Sequence, residues 1–255
     1  MNFTVIKGVI YQILKLVSLV PTYIKMKMNS DKYTLDDKFS VVREYSKSVL
    51  KVVGINLKVN GYENLPSKDK NVVFVANHGN WIDTYVLLSI MDRPSGMIAA
   101  KEANWDKAPL VKDWMEMINC LHIDRANNRN ALKTINKASD ILKNTSSIGV
   151  FPEGGVTLSD ELKPFKDGAF RMAIKAQVPI VPIHIKNTKD TLKMTSRWTG
   201  KAYAKDVEVD ILPAVYNHIE DNKIKTKDIS EIVRNILIEN QHKKEDKNIA
   251  YECNL

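Results

Sequence analysis

From Ile55 onward the chain alternates short apolar runs with stretches of helical period. The apolar runs at 55–59, 71–76, 97–100, 121–123, 148–151, 180–185 and 207–212 read as strands. Between them, 83–91, 105–118, 129–142 and 168–176 carry apolar residues on one helical face. In 129–142 that face is Ala131, Leu132, Ile135, Ala138, Ile141 and Leu142. A turn-rich piece at 61–70 separates the first two strands. A last helix is predicted from Asp228, with Glu231 at the reciprocal capping position and a charged tail after His242 that should fray. Strand-helix alternation predicts an α/β fold, a central mixed sheet flanked by helices.

Ahead of this region, 1–54 reads as an amphipathic helical hairpin and 55–255 as the α/β domain. In the first helix Ile6, Val9, Ile10, Ile13, Leu14, Val17 and Val20 share one face, and Lys7, Tyr11, Gln12, Lys15 and Ser18 the other. Pro21 should end it. In the second, 35–53, the inward residues are Phe39, Val42, Tyr45, Val49 and Val53. The first thirty residues hold Lys7, Lys15, Lys25 and Lys27 and no acid. An apolar face beside a basic one suits a helix lying in the headgroup layer of an anionic membrane. It equally suits a helix packed on its own domain. A signal peptide is disfavoured, because Lys15 splits the apolar stretch and no small-residue cleavage site follows.

Charge sharpens the list of partners. The net charge of +8 favours anionic ones. Nucleic acid is not expected among them, for there is no zinc-finger spacing, arginine-rich block or aromatic-basic motif. Cys120 and Cys253 make no disulfide framework and no metal-ligand spacing, so a reducing compartment is the default. No apolar run reaches a bilayer's span. The abundance of Lys, Asn and Ile fits an AT-rich bacterial genome.

The chemistry concentrates where the apolar run Val72-Val73-Phe74-Val75-Ala76 meets Asn77-His78-Gly79-Asn80-Trp81-Ile82-Asp83. A strand end feeding a helix is where α/β proteins build sites. His78 can take a proton from a hydroxyl, and Asp83 can fix its tautomer. No Gly-x-Ser-x-Gly elbow offers a nucleophile. A metal-dependent hydrolase using His78, Asp83, His122 and Asp124 is a competing reading of the same residues. His184 and His218 read as structural or surface residues.

Three further blocks follow in order: Ile123-Asp124-Arg125, Phe151-Pro152-Glu153-Gly154 and Val178-Pro179-Ile180-Val181-Pro182-Ile183, with Pro164-Phe165-Lys166-Asp167-Gly168-Ala169-Phe170 before the last. With the His-x4-Asp pair they resemble the glycerolipid acyltransferase family, typified by bacterial 1-acylglycerol-3-phosphate acyltransferase, over 55–213. The resemblance implies transfer of a fatty acyl group from a coenzyme A or carrier-protein thioester to the hydroxyl of lysophosphatidic acid. It implies no resident cofactor, and a place on the cytoplasmic face of the cell membrane, peripheral or monotopic. A two-helix membrane-binding element precedes the domain in some relatives. On this reading His78 is the base and Asp83 its orienting partner. Arg125 binds the acceptor phosphate, and Glu153 and Gly154 lie at the acceptor site, Glu153 anchoring Arg125 or binding a glycerol hydroxyl. Lys101 matches a basic position often seen in the family. Backbone N–H groups of Gly154 and Gly155 are oxyanion donors, and the Val-Pro-Ile run is a buried strand shaping the acyl region.

One departure stands out. Family members usually continue Thr-Arg-Ser after Phe-Pro-Glu-Gly, whereas this chain reads Gly155-Val156-Thr157. A second phosphate contact, worth about 1.5–3 kcal/mol, is therefore missing at Val156. Either Lys163 or Lys166 substitutes for it, or the acceptor is another lyso-lipid. A catalytically silent lipid-binding relative is the reading outside enzymes.

Overall fold

In the computed structural model the described residues are 3–101, 108–157, 161–188, 206–221 and 223–252, without the side chains of 3–9, 12 and 243–252. Three helices lead, α1 (Phe3–Ser18), α2 (Val20–Met28) and α3 (Leu35–Val52). The sheet strands are β1 (Asn56–Asn60), β2 (Val73–Ala76), β3 (Ser95–Ala100), β4 (Leu121–Ile123), β5 (Ser147–Val150), β6 (Ile180–Lys186) and β7 (Asp206–Ile211). Helices α4 (Asp83–Ile90), α5 (Pro109–Met117), α6 (Asn128–Asn144) and α7 (Gly168–Ala176) fall between strands, and α8 (Asn217–Glu220) and α9 (Thr226–Glu252) close the chain. Each of the seven predicted strands forms, within a few residues of its expected ends.

The strands make one sheet, ordered β1-β7-β6-β2-β5-β3-β4. Pairs β6–β2, β2–β5, β5–β3 and β3–β4 are parallel, and β6–β7 is antiparallel, so the sheet is mixed. Every residue of β2 is buried, as expected for a central strand covered on both faces. Its side chains alternate between two cores. Phe74 and Ala76 join Phe39, Val42, Val49 and Leu50 of α3 and Val86 and Leu87 of α4. Val73 and Val75 join Ile135, Ala138 and Leu142 of α6, Phe170 and Ala173 of α7 and Val233 of α9. Full burial of one such large apolar side chain stabilises by about 1.5–3 kcal/mol.

Helix α3 starts on a reciprocal cap. Thr34 Oγ1 accepts the Asp37 N–H at 3.1 Å, and Asp37 Oδ2 accepts the Thr34 N–H at 2.8 Å. Of its expected inward residues, Phe39, Val42, Val49 and Val53 are buried, and Tyr45 lines a cleft instead.

Four expectations are corrected. Pro21 does not end the helical region. It sits in the first turn of α2, where a missing N–H costs nothing. The last helix starts before Asp228, whose carboxylate accepts the Lys225 N–H at 3.3 Å and so takes the reciprocal place itself. The backbone of α9 stays helical to Glu252, past the tail expected to fray. Helix α5 begins at Pro109, a residue suited to a first turn, while 105–107 of the predicted helix lie outside the described residues, as does Cys253.

A polar knot ties the antiparallel side of the sheet to α9. Asp210 Oδ2 accepts from Lys186 Nζ and from Asn240 Nδ2 at 2.9 Å, and Oδ1 accepts from Asn60 Nδ2 at 2.9 Å. Burial alone would raise the Asp210 carboxyl, but the bonds from Asn240, Asn60 and Lys186 outweigh it and hold it far below the usual carboxylate range. A depressed folded value stabilises the fold above the unfolded carboxyl, about 3.9, and that gain is lost as pH falls through the folded value. Asp210→Ala, which strands the Lys186 ammonium, is expected to cost about 3 kcal/mol at neutral pH. Denaturant melts should show the deficit shrinking as pH falls below about 3.9.

Candidate active site

Parallel pairing sends the C-terminal ends of β2, β3, β4, β5 and β6 to one edge of the sheet. The loops after β2 and β5, adjacent strands, therefore meet there. His78 follows β2, Phe151 to Thr157 follow β5, and Arg125 follows β4.

His78 is held by its ring and by its backbone. Nδ1 lies 3.1 Å from Asp83 Oδ2, and Asp83 is fully buried at the first turn of α4. The same oxygen accepts the N–H groups of Gly79 and Asn80, each at 2.7 Å. A carboxylate only accepts, so Nδ1 carries a proton, and in the neutral ring Nε2 is the atom with the lone pair. The ring stacks on Phe151, with centroids 4.1 Å apart and planes 15° apart. Asn77 and Asn80 fix the loop to the β6 side: Asn77 exchanges two bonds with the Ile185 backbone, and Asn80 Nδ2 donates to the Thr188 carbonyl at 3.0 Å.

Glu153 departs from its expected place. It is buried, absent from the cleft wall, and does not touch Arg125. Its Oε1 accepts the His78 N–H at 2.8 Å, and its Oε2 accepts the Thr157 hydroxyl. The Thr157 N–H in turn donates to the His78 carbonyl at 2.7 Å. The carboxylate is turned inward because it satisfies a buried amide and a buried hydroxyl that would otherwise be unpaired.

Arg125 is exposed and donates Nη1 to the Gly154 carbonyl, rather than pairing with Asp124 or Glu153. Asp124 pairs instead with Lys101 at 3.3 Å. That ammonium is the main cause of an Asp124 carboxyl below its usual range. Lys101 stays largely in solvent and does not line the cleft. Gly154 has φ 77°, a left-handed turn residue, and its N–H is spent on the Phe151 carbonyl at 3.2 Å. The Gly155 N–H makes no bond to a described residue, and Gly155 faces the cleft. Lys166 lies along Gly154, its Cε 3.2 Å from where a Cβ would stand.

These groups open onto a cleft of 470 Å³. Its walls are chiefly apolar: Leu16 and Leu19 on the N-terminal side, Val41 and Tyr45 from α3, Tyr85 and Leu88 from α4, Met97 to Ala100 of β3, and Trp114 and Met115 from α5. His78, Arg125, Gly155 and Val156 also line it. The Val-Pro-Ile segment does not. Strand β6 is buried on the other side of β2, so β3 takes the place expected of it.

On α1, Ile10, Ile13, Leu14 and Val17 are exposed, between 51% and 63%, while Leu16 and Leu19 pack on the core. The side chains of Ile6, Lys7, Val9 and Gln12 lie outside the described residues. Among the described residues no helix is long and apolar enough to cross a membrane.

His122 and Asp124 do not gather with His78 and Asp83, and among the described residues no three His, Cys, Asp or Glu side chains could share a metal ion. Cys120 lies beside Met115, and burial pushes its thiol up to about 12. His218 is fully buried, with Nε2 2.8 Å from the Val178 carbonyl. His184 is buried near Asn240. Thr157 and the Phe151 ring were missed as parts of the site. Phe151 stands in the Phe-Pro-Glu-Gly block, but that block does not show its stacking on His78, and Thr157 has no sequence signal, since both contacts depend on β2 and β5 lying side by side.

The acyltransferase family model matches residues 56–186. A 1-acyl-sn-glycerol-3-phosphate acyltransferase of Saccharomyces cerevisiae is 33% identical over 140 residues, 54% of this chain and 45% of that protein. A probable 1-acyl-sn-glycerol-3-phosphate acyltransferase of Mycoplasma pneumoniae is 29% identical over 189 residues, 68% of this chain and 70% of that protein. The chain thus spans less than half of the yeast relative. The crystal structure of the 1-acyl-sn-glycerophosphate acyltransferase PlsC from Thermotoga maritima shares the fold, with a TM-score of 0.68 at 19% identity, over 92% of this chain and 96% of that one.

Proposed function

The chain belongs to the acyltransferase family, and we propose that it moves a fatty acyl group from a coenzyme A or carrier-protein thioester to the free hydroxyl of 1-acylglycerol-3-phosphate. The observation that carries the proposal is the oriented His78–Asp83 pair, which shares a largely apolar cleft with Arg125. An acyl chain matches the apolar wall. A phosphate matches a guanidinium, which offers it a planar fork of donors.

The geometry supports the following steps. His78 Nε2 takes the proton of the acceptor hydroxyl as its oxygen bonds to the thioester carbon. The carbonyl oxygen becomes an oxyanion, for which the Gly155 N–H, unbonded among the described residues, is a candidate donor. Collapse of the tetrahedral adduct breaks the carbon–sulfur bond. The imidazolium returns its proton to the departing thiolate. Asp83 steadies the imidazolium between these events. A base so placed supplies about 10²–10⁴ in rate.

Val156, 42% exposed in the cleft wall, favours a second reading of the acceptor. With an apolar side chain where the family usually places arginine, a lyso-lipid with another head group also fits. The exposed apolar face of α1 supports attachment to an anionic membrane surface, peripheral or monotopic, on the cytoplasmic side.

Thiol release from palmitoyl-coenzyme A, with vesicles and lysophosphatidic acid, tests the reading. Transfer should depend on the acceptor and vanish in His78→Ala; turnover retained in that variant would remove His78 as base. Arg125→Ala should raise the acceptor KM about tenfold or more, as expected for loss of a charge-assisted contact. An unchanged KM would take Arg125 out of the phosphate site. Leu14→Glu with Val17→Glu alters only the exposed side of α1. The pair should release the protein from anionic vesicles in a flotation assay without lowering its melting temperature.

A further inference from the structure

Three hydrogen bonds close a ring between the loop after β2 and the loop after β5. His78 N–H donates to Glu153 Oε1, Thr157 Oγ1–H donates to Glu153 Oε2, and Thr157 N–H donates to the His78 carbonyl. Glu153 and Thr157 are both buried, at 6% and 2% exposure. The ring grips His78 on both sides of its Cα, so it fixes the main chain from which the imidazole projects. Residues 153–157, which grip it, also carry Gly155 and Val156 to the cleft wall. The base and the amide of Gly155 are thereby set on two loops that cannot slide past one another without breaking these bonds.

We infer that Glu153 and Thr157 are positioning residues for His78, acting through its backbone and touching neither substrate. The inference rests on the acyl-transfer reading for its kinetic consequence, though not for its structural one. Reacting groups tolerate little misplacement: an error near 1 Å can cost about 10²-fold in rate. A clasp of this kind governs turnover, whereas a substrate ligand governs acceptor affinity. The Thr157 hydroxyl carries the distinction. Valine keeps the shape of threonine and removes the bond, and serine keeps the bond.

The test compares wild type, Thr157→Val, Thr157→Ser and Glu153→Gln by steady-state kinetics, thermal melting and ¹⁵N resonances of the His78 ring. Those resonances are identified by their disappearance in His78→Ala. Thr157→Val should lower kcat about 10- to 100-fold at unchanged acceptor KM, and its ring nitrogens should leave the fixed Nδ1–H pattern for an averaged one. Thr157→Ser should restore most of the turnover. Glu153→Gln can still accept from His78 and now donates to the Thr157 oxygen, so its acceptor KM should stay that of wild type. A raised KM with kcat intact in either variant would make these residues acceptor ligands and overturn the clasp. So would unchanged kcat and unchanged ring resonances in Thr157→Val, or a loss of activity accounted for by the unfolded fraction alone. Wild type inactive with every donor and acceptor would sink the acyl-transfer reading, and the ring resonances would still decide the clasp.

Discussion

The site depends on one constraint, the parallel pairing of β2 with β5. Strands that run the same way and lie side by side must release their loops at the same edge. That brings a histidine and a glutamate 75 positions apart in sequence within hydrogen-bond distance. Had the two strands been antiparallel, their loops would leave from opposite edges, some four residues of strand apart. Burial of β2 on both faces locks the register, because a slip by one residue would exchange the residues of its two cores. The stability of the sheet and the precision of the site are thus the same property.

Electrostatics follows a division of labour along that edge. Asp83 and Glu153 are buried, and each is occupied by N–H or O–H donors from the chain itself. Asp124 is taken by Lys101. Arg125 spends one nitrogen on the Gly154 carbonyl and otherwise faces the cleft. The negative groups therefore build the site, and the Arg125 guanidinium keeps its remaining donors on the cleft side. This suits the basic balance of the whole chain.

Much of the fold was legible in the sequence, because period-two and period-3.6 patterns report burial directly. The seven strands, the helices between them and the α/β class follow from them. The errors fall where local signals are ambiguous. Pro21 can stop a helix or open one, and only the turn at Leu19 decided between them. Asp228 can cap directly or reciprocally. For the site, the His78–Asp83 pair was legible because both residues lie within one loop and helix start. The direction of Glu153 was not, since it depends on a partner hydroxyl at Thr157 and an amide across the sheet. Nor was the wall of the cleft, which is β3 and not the proline-rich β6. Strand order is a property of pairing, and a single sequence carries little trace of it.

The stacking of His78 on Phe151 bears on the itinerary of the proton. An imidazole tethered at Nδ1 and stacked on a phenyl ring must give up both contacts to rotate by half a turn. In the acyl transfer proposed above, the nitrogen that receives a proton is then the nitrogen that surrenders it. On that proposal the departing group would arrive at the point the incoming hydroxyl has just vacated, so that a single station would serve both passengers.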